Sequence, residues 1–383
     1  MTAIIKNSIE EISEEHFLEL SANVSSPFMH YQFLHALEKS KSACIENGWE
    51  PAHFTKTEKD KIIGFVPLYK KYNSSGEFVF DHSWAHALEQ AGRKYYPKLL
   101  TAIPFTPCKG ERIIGKDELA RNELIHDIKK YMAVEGIESW HILYPDEETG
   151  SFLKNHNFIE RLGCRFVWKN RNFSDFNNFL DIFTARQRKT IKAERKKIFN
   201  AKISFRIIEG SEITLNDWDI FYKLYSQTYM DRWQKPYLEK NFFKHIGSKT
   251  ASCHPILFFA IQDNTVIGGS LCFKNDNTLF GRHWGSIKNI DCLHFEACYY
   301  QGIDYCISNN LAYFDPGIQG EHKIRRGFEP ELSSSFHYFL KDDLGKAISD
   351  FCFKESKNCT AKSDSKAGFL RACSAVIPDN LNK

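Results

Sequence analysis

Apolar and polar positions along the chain fall into two similar successions. Lys61 to Tyr69 (KIIGFVPLY) is a β-rich run, followed by a polar turn at Asn73-Ser74-Ser75-Gly76 and a second run, Glu77 to Ala85 (EFVFDHSWA). About 200 residues later, Thr265 to Phe273 (TVIGGSLCF) leads through Lys274-Asn275-Asp276-Asn277 into Thr278 to Ser286 (TLFGRHWGS). Gly64 thus answers to Gly268, Phe80 to Phe280 and Trp84 to Trp284. Short polar loops between β-rich runs predict a hairpin in each copy. A helix and a further strand follow both times: residues 117–135 closed by Gly136, then 140–144 running into Pro145, and residues 293–310, then 311–314 running into Asp315-Pro316-Gly317. Helical spacing also precedes each hairpin, at 31–40 and at 216–233 with 238–246.

This order predicts an α/β fold with a mixed sheet, present twice. The expected organisation is a first domain over residues 1–170, a basic helical connector over 171–200, a second domain over 201–345, and a C-terminal helix and tail over 346–383. The first copy carries about 30 more residues between Trp84 and its helix, including the stretch 105–112. Neither copy has a G-x-G-x-x-G after a strand or a G-x-x-x-x-G-K-S loop, so hydride transfer and nucleotide hydrolysis lose their main support.

Composition narrows the class. A chain of 383 residues with 42% hydrophobic, 14% aromatic and 26% charged residues fills real cores, and its net charge of +3 excludes a disordered polyelectrolyte. Its longest apolar stretch, 256–261, is far short of the roughly 20 residues that span a bilayer, so no transmembrane segment is expected. The N-terminus has no basic start followed by an apolar core, and the expected location is the cytoplasm, including the inner face of the membrane as a peripheral protein. Eleven cysteines, an odd number with no C-x-x-C pair, read as free thiols, and no metal is expected.

Charge is most concentrated over 186–197 (RQRKTIKAERKK), where Arg186, Arg188, Lys189, Lys192, Arg195, Lys196 and Lys197 face a single acid, Glu194. Phe183, Ile191 and Ile198 share a stripe, so this is read as an anchored helix. Its basic face is either simply solvated or meets phosphates of a carrier RNA, a nucleotide-linked donor or an anionic lipid. Candidate chemistry concentrates after the second copy's last strand, where Asp315, Gln319, Glu321, His322, Lys323, Arg325 and Arg326 are interrupted by Gly317, Gly320 and Gly327. Glycines let backbone N–H groups approach a ligand, and strand ends are where α/β folds place sites; a solvated loop is the plainer alternative. His294 and Glu296 open the following helix, where a carboxylate also suits the helix dipole. In the first copy the turn from Thr106 through Gly110 to Arg112 can offer N–H groups and positive charge to an anion. Asp81 and Trp84, with Arg282 and Trp284 of the second copy, complete the expected substrate-binding set.

Several stretches carry a resemblance: Ser75 to Asp81 (SGEFVFD), Tyr95 to Leu100 (YYPKLL), Pro104 to Pro107 with Gly110 and Arg112, Leu293 to Gln301 (LHFEACYYQ) and Gln319 to Ile324 (QGEHKI). Together they resemble the FemAB-like peptidoglycan biosynthesis/recognition N-acyltransferases over nearly the whole chain. The resemblance implies tandem GNAT-like acyltransferase domains and transfer of an acyl or aminoacyl group to an amine. It implies acyl-CoA or aminoacyl-tRNA as the donor and a small molecule or cell-wall precursor as the amine acceptor. The 110–112 loop before its helix would take the place of a pyrophosphate loop, although it lacks the usual glycine pattern. The stretch Lys323 to Phe328 is similar to the lysine-containing segment near the reaction centre of FemAB enzymes.

Amide formation needs a proton acceptor for the amine and donors for the carbonyl oxygen as charge builds on it. Glu296 and Asp315 are the candidates for the first role. Lys323, with Arg326 and backbone N–H groups near Gly320, is the candidate for the second. The expected catalytic set is therefore Glu296, Asp315 and Lys323. The expected substrate-binding set is Asp81, Trp84, Thr106, Gly110, Arg112, Arg282, Trp284, His294, Gln319, Gly320, His322 and Arg326. tRNA or an anionic lipid is the expected partner of the 186–197 helix. Two other classes remain open: recognition of a muropeptide or lipid head group without catalysis, and acylation of a small metabolite or lipid amine.

Overall fold

The computed structural model describes residues 2–248, 253–318 and 320–360. The chain divides into two compact units, Met1–Cys164 together with the chain from Leu332 onward, and Arg165–Glu331. The first unit begins with strands β1 (Thr2–Lys6), β2 (Trp49–Pro51), β3 (His53–Glu58), β4 (Lys61–Val66), β5 (Leu68–Lys71), β6 (Lys98–Thr101), β7 (Ile114–Gly115) and β8 (Ser139–Leu143), and then β9 (Ile159–Lys169), which enters the second unit at Arg165. The second contains β10 (Ser204–Glu209), β11 (Pro255–Gln262), β12 (Thr265–Lys274), β13 (Thr278–Ser286) and β14 (Tyr313–Asp315), and β15 (Glu329–Phe339) leaves it at Leu332.

In the first unit β1, β3, β4 and β7 form an antiparallel sheet. A second sheet runs β2, β5, β6 antiparallel, then β8 parallel to β6 and β15 antiparallel to β8. In the second unit β10 to β13 are antiparallel, β14 is parallel to β13, and the end of β9 is antiparallel to β14. Both units therefore share one plan: antiparallel strands, a parallel pair linked through a helix, and an antiparallel closing strand. This is the expected α/β architecture with mixed sheets in tandem.

Local chemistry explains the linking helix of the first unit. Asp117 accepts the Ala120 N–H at 2.8 Å to start Glu118–Glu135, and Gly136 ends it in a left-handed conformation. Leu124, Ile128 and Met132 bury the helix against Leu99, Trp140 and Ile142. The basic run forms Ala185–Asn200, opened by a reciprocal Thr184–Gln187 capping box and buried through Ile191 and Ile198. It belongs to the second unit.

The first expected hairpin is not built as expected. Pro67 divides KIIGFVPLY, so β4 joins one sheet and β5 the other. The run 77–85 forms no strand: Phe78 takes a φ of +59°, and Asp81 precedes the helix His82–Gln90. The partner of β5 is β6 instead, so Trp84 lies on a helix while Trp284 lies on β13. The second hairpin, β12 with β13, forms as expected. Among the cysteines, Cys44, Cys108, Cys253, Cys272, Cys292, Cys298, Cys306 and Cys352 are free thiols, whereas Cys164 is disulfide-bonded, against the expectation of free thiols throughout. Among the described residues no helix is long and apolar enough to cross a membrane.

Candidate functional site

The second unit's linking helix is irregular at its start. Cys292 takes a φ of +68°, Leu293–Phe295 makes one turn, Glu296–Tyr300 forms a wider π-type turn, and Gln301–Ser308 continues as an α-helix. Such turns leave carbonyls out of the regular ladder and recur at functional sites. Here the Ala297 carbonyl accepts the Ser270 hydroxyl of β12 at 2.8 Å. Glu296 opens the wide turn and is only 4% exposed. Its Oε1 accepts Arg195 Nη2 at 3.0 Å and Gln301 Nε2 at 2.8 Å, while Oε2 is buried without a hydrogen-bond partner among the described residues. Burial pushes this carboxyl above its ordinary range, and Arg195 and Gln301 oppose the shift.

The loop after β14 gathers most of the other candidates. Asp315 Oδ1 accepts the Gly317 N–H at 2.9 Å, and Oδ2 lies 3.4 Å from Arg165 Nη1. Lys323 is buried and donates to the Gly317 carbonyl at 2.7 Å. Burial pulls its ammonium down to about 7, with Asp315 acting in the opposite sense. His322 Nε2 and the Tyr299 hydroxyl are 2.8 Å apart, and burial followed by Lys323 and Arg326 pulls the imidazole down to about 4. Gly320 has a φ of +103°, and a Cβ there would stand 2.3 Å from the His322 ring, so only glycine fits. Arg326 is held by Glu194 through Nη2 at 2.7 Å and Nε at 3.3 Å, donates to the His322 carbonyl at 2.9 Å, and lies 3.4 Å above the Phe295 ring. Glu194 also accepts the Tyr300 hydroxyl. His294 stands between Trp284 and Tyr299, with ring centroids 5.5 and 5.4 Å away, and burial with the neighbouring positive charges takes it down to about 4. Arg282 lies beside Gly317 and its charge helps depress Lys323. Glu296, Asp315, Lys323, His294, Gly320, His322, Arg326, Arg282 and Trp284 thus belong to one unit: Asp315, Lys323 and Arg282 meet around Gly317, Trp284 meets His294, His294 and His322 meet Tyr299, and Glu296 bonds Arg195 and Gln301. Gln319 lies outside the described residues.

The first-unit candidates separate into two places. Arg112 is 1% exposed and spends its guanidinium on the carbonyls of Leu143, Glu111 and Cys108 at 2.8, 2.8 and 2.6 Å. The Gly110 N–H bonds the Tyr144 carbonyl, and a Cβ at Gly110 would meet Ser26 at 2.8 Å. Thr106 Oγ1 donates to the Pro104 carbonyl. The loop expected to face an anion instead staples the fold, because each of these donors is used internally. Asp81 and Trp84 sit elsewhere, in a buried polar cluster. Lys98 bridges Asp81 and Glu77, Tyr95 donates to Asp81 at 2.5 Å, and Trp84 packs edge-on to His337 at 4.8 Å.

Tyr299 and Asp304 carry no sign of this role in the sequence, and Arg195 and Glu194 stand out there only as members of the basic run. The available signal is that Glu194 is the one acid in a basic run, which marks the side of the helix that turns inward.

The chain is a tandem mixed-sheet α/β protein with a carboxylate-centred cluster in its second unit. It belongs to the FemAB-like family, described as peptidoglycan biosynthesis/recognition, whose model matches residues 8–368. No curated protein matches it. Among solved structures, the C-terminal domain of a putative lysylphosphatidylglycerol synthetase from Agrobacterium fabrum is similar at 9% identity and a TM-score of 0.54, covering 90% of this chain and 96% of that one. FemX is similar at 12% identity and a TM-score of 0.51, covering 91% and 100%. A protein of unknown function from Bacteroides thetaiotaomicron is similar at 10% identity and a TM-score of 0.51, covering 89% and 100%. At these identities the likeness is one of fold.

Proposed function

We propose that this protein transfers an acyl or aminoacyl group to an amine at the cluster around Glu296. The observation that carries this reading is the Glu296 carboxylate: buried, anchored through one oxygen, and without a hydrogen-bond partner on the other among the described residues. A carboxyl raised by burial is better matched to taking a proton near neutral pH than an exposed one. In the proposed step Glu296 Oε2 accepts the amine proton as the nitrogen attacks the donor carbonyl. The C–N bond forms, the C–S bond of a thioester or the C–O bond of an RNA ester breaks, and the leaving sulfur or oxygen takes up a proton. Lys323, placed by burial to exist in both protonation states near pH 7, offsets the oxyanion or supplies that proton. Asp315 holds the Gly317 turn onto which Lys323 docks. His294, Trp284, His322, Arg282 and the N–H groups near Gly320 are the proposed binding surface.

The donor is proposed to be acyl-CoA or aminoacyl-tRNA, and the family description favours a cell-wall precursor amine as acceptor. Arg186, Lys189, Lys192 and Lys196 are exposed on the helix Ala185–Asn200 and make no ion pair among the described residues, which supports contact of this face with tRNA or an anionic lipid on the cytoplasmic side. A second reading, recognition of a muropeptide or lipid head group without chemistry, is favoured by the full engagement of Arg326 within the protein.

The test offers purified protein labelled acyl-CoA and aminoacyl-tRNA with amine acceptors that include wall peptides. Glu296→Gln is expected to reduce turnover by about 10²–10⁴-fold, with losses also in Asp315→Asn and Lys323→Ala. Full turnover in all three variants would exclude the assignment. Thermal stabilisation by wall fragments alone, with no turnover from either donor, would favour recognition.

A further inference from the structure

The helix Ala185–Asn200 does more than display charge. Glu194 and Arg195 are half-buried neighbours within a run that is otherwise largely exposed. Arg195 Nη2 reaches two carboxylates from one atom, Glu296 Oε1 at 3.0 Å and Asp304 Oδ2 at 2.7 Å. Its guanidinium is stacked 4.2 Å from the Phe176 ring, which fixes the plane of the fork. Gln301 Nε2 adds a second donor to the same Glu296 oxygen at 2.8 Å. Two donors on Oε1 and none on Oε2 is an asymmetric arrangement, and a buried carboxylate oxygen with no donor costs free energy unless something else uses it. A purely structural ion pair would favour the bidentate Arg–carboxylate arrangement, which is stronger and uses both oxygens. Arg195 instead divides Nη2 between Glu296 Oε1 and Asp304 Oδ2.

We infer that Arg195 is a positioning residue: together with Asp304 it pins Glu296 by Oε1 and keeps Oε2 free to take a proton from the incoming amine. The inference rests on the reading of Glu296 as the proton acceptor, and it adds the device that selects which oxygen acts. The charged groups that act on Glu296 are Arg195 from this helix and Asp304 from its own, with Gln301 as a neutral donor. Arg195 favours the ionised carboxylate, whereas Asp304 disfavours it.

The two failures are separable because the device can be read without substrate. In full-length protein carrying ¹³C-labelled glutamate, the Glu296 carboxyl resonance is assigned by its absence in Glu296→Gln and titrated by NMR. In Arg195→Gln its midpoint is expected to rise by about one pH unit or more, the scale set by an opposite charge at this range. In Asp304→Asn it is expected to fall, and Arg195→Lys is expected to recover part of the Arg195→Gln shift. A thermal melt confirms folding, and Arg195→Lys serves as the informative variant if Arg195→Gln does not fold. An unmoved midpoint in Arg195→Gln, or in Arg195→Lys where that stands in, overturns the inference whatever the activity of Glu296→Gln. Midpoints that move in opposite directions support the pinning of Glu296 by Arg195 and Asp304; full turnover in Glu296→Gln would overturn instead the reading of Glu296 as the base on which the inference rests.

Discussion

Lys98 has no exposed surface, yet it carries an ammonium among carboxylates. Glu77 lies 2.8 Å away, Ser74 Oγ at 2.9 Å, and Asp81 is also in contact. From Asp81 the polar contacts continue through the Tyr95 hydroxyl to His141 at 3.1 Å, to His337 at 2.7 Å and on to Ser335 at 2.9 Å. Burial raises the Asp81 carboxyl, but Lys98, His141 and Tyr95 outweigh it and hold the group well below the usual carboxylate range. Such a cluster is weak evidence for net stability, because desolvation offsets much of the attraction; removing one partner is another matter, since the remaining charges stay buried and uncompensated. Lys98→Met is therefore expected to lower the stability of the first unit by about 3–5 kcal/mol in urea titrations. Adding Glu77→Gln and Asp81→Asn to that variant should restore most of the loss. A single-variant loss under about 1 kcal/mol would mean that the carboxylates are not held as charged partners. The sequence marks Asp81 as a polar residue near a strand end, but its partner Lys98 shows no local sign of this role. Their bond depends on β6 standing where 77–85 was expected.

Elements were legible where the signal was local. The helices Glu118–Glu135 and Ala185–Asn200 have capping residues and apolar spacing within one stretch, and both form close to where they are read. The first hairpin was misread because alternation in EFVFDHSWA imitates a strand, while Pro67 moves the preceding run between sheets. The π-type turn at Glu296 was not legible either, since the Ser270 hydroxyl that serves its Ala297 carbonyl comes from β12. Arg195 could be read only as one cation among seven, because its carboxylate partners follow by about 100 residues and no local pattern announces them. Another long-range constraint is carried by a glycine. The helix Leu215–Met230 crosses β13 so closely that a Cβ on Gly285 would stand 2.1 Å from the Leu224 backbone carbon and oxygen. Backbone cannot yield as a side-chain tip can, so helix and strand must separate. Gly285→Ala is expected to destabilise the second unit by about 1–3 kcal/mol or more, whereas Gly92→Ala, where the Cβ meets open space, should lack this packing penalty and carry only the strain of its φ of +69°. Equal midpoints for Gly285→Ala and the parent in thermal melts would show that the helix has room to move.

Across the whole molecule the histidines act together. His141 and His283 are taken down to about 3 by burial, His294 and His322 to about 4, and His337 well below its ordinary value. Two of these belong to the first unit and three to the second, so neither unit is exempt. Each is neutral when folded and regains an ordinary imidazole when unfolded. Below about pH 6.5 the unfolded chain therefore binds protons that the folded chain refuses. Stability must fall with acidification through that window, and each histidine stops contributing once its own folded value is reached. Glu77, raised to about 7 chiefly by burial, acts in the opposite direction, because the folded state holds its proton between the ordinary carboxylate value and neutrality. Glu296 and Asp304, also raised by burial, oppose the histidines in the same way over the acid end of the window. His156, lowered chiefly by burial as well, makes six groups against three among the described residues, which leave a positive slope of stability with pH, at most about 1.4 kcal/mol per pH unit for each uncompensated group. Urea midpoints measured between pH 6.5 and 4.5 are thus expected to fall steadily, and His283→Gln, which removes one titrating ring beside Tyr225, should flatten the fall. A midpoint that is constant or rises on acidification would mean that the buried imidazoles accept protons in the folded state, and the polar contacts of both units would then have to be reassigned with charged histidines.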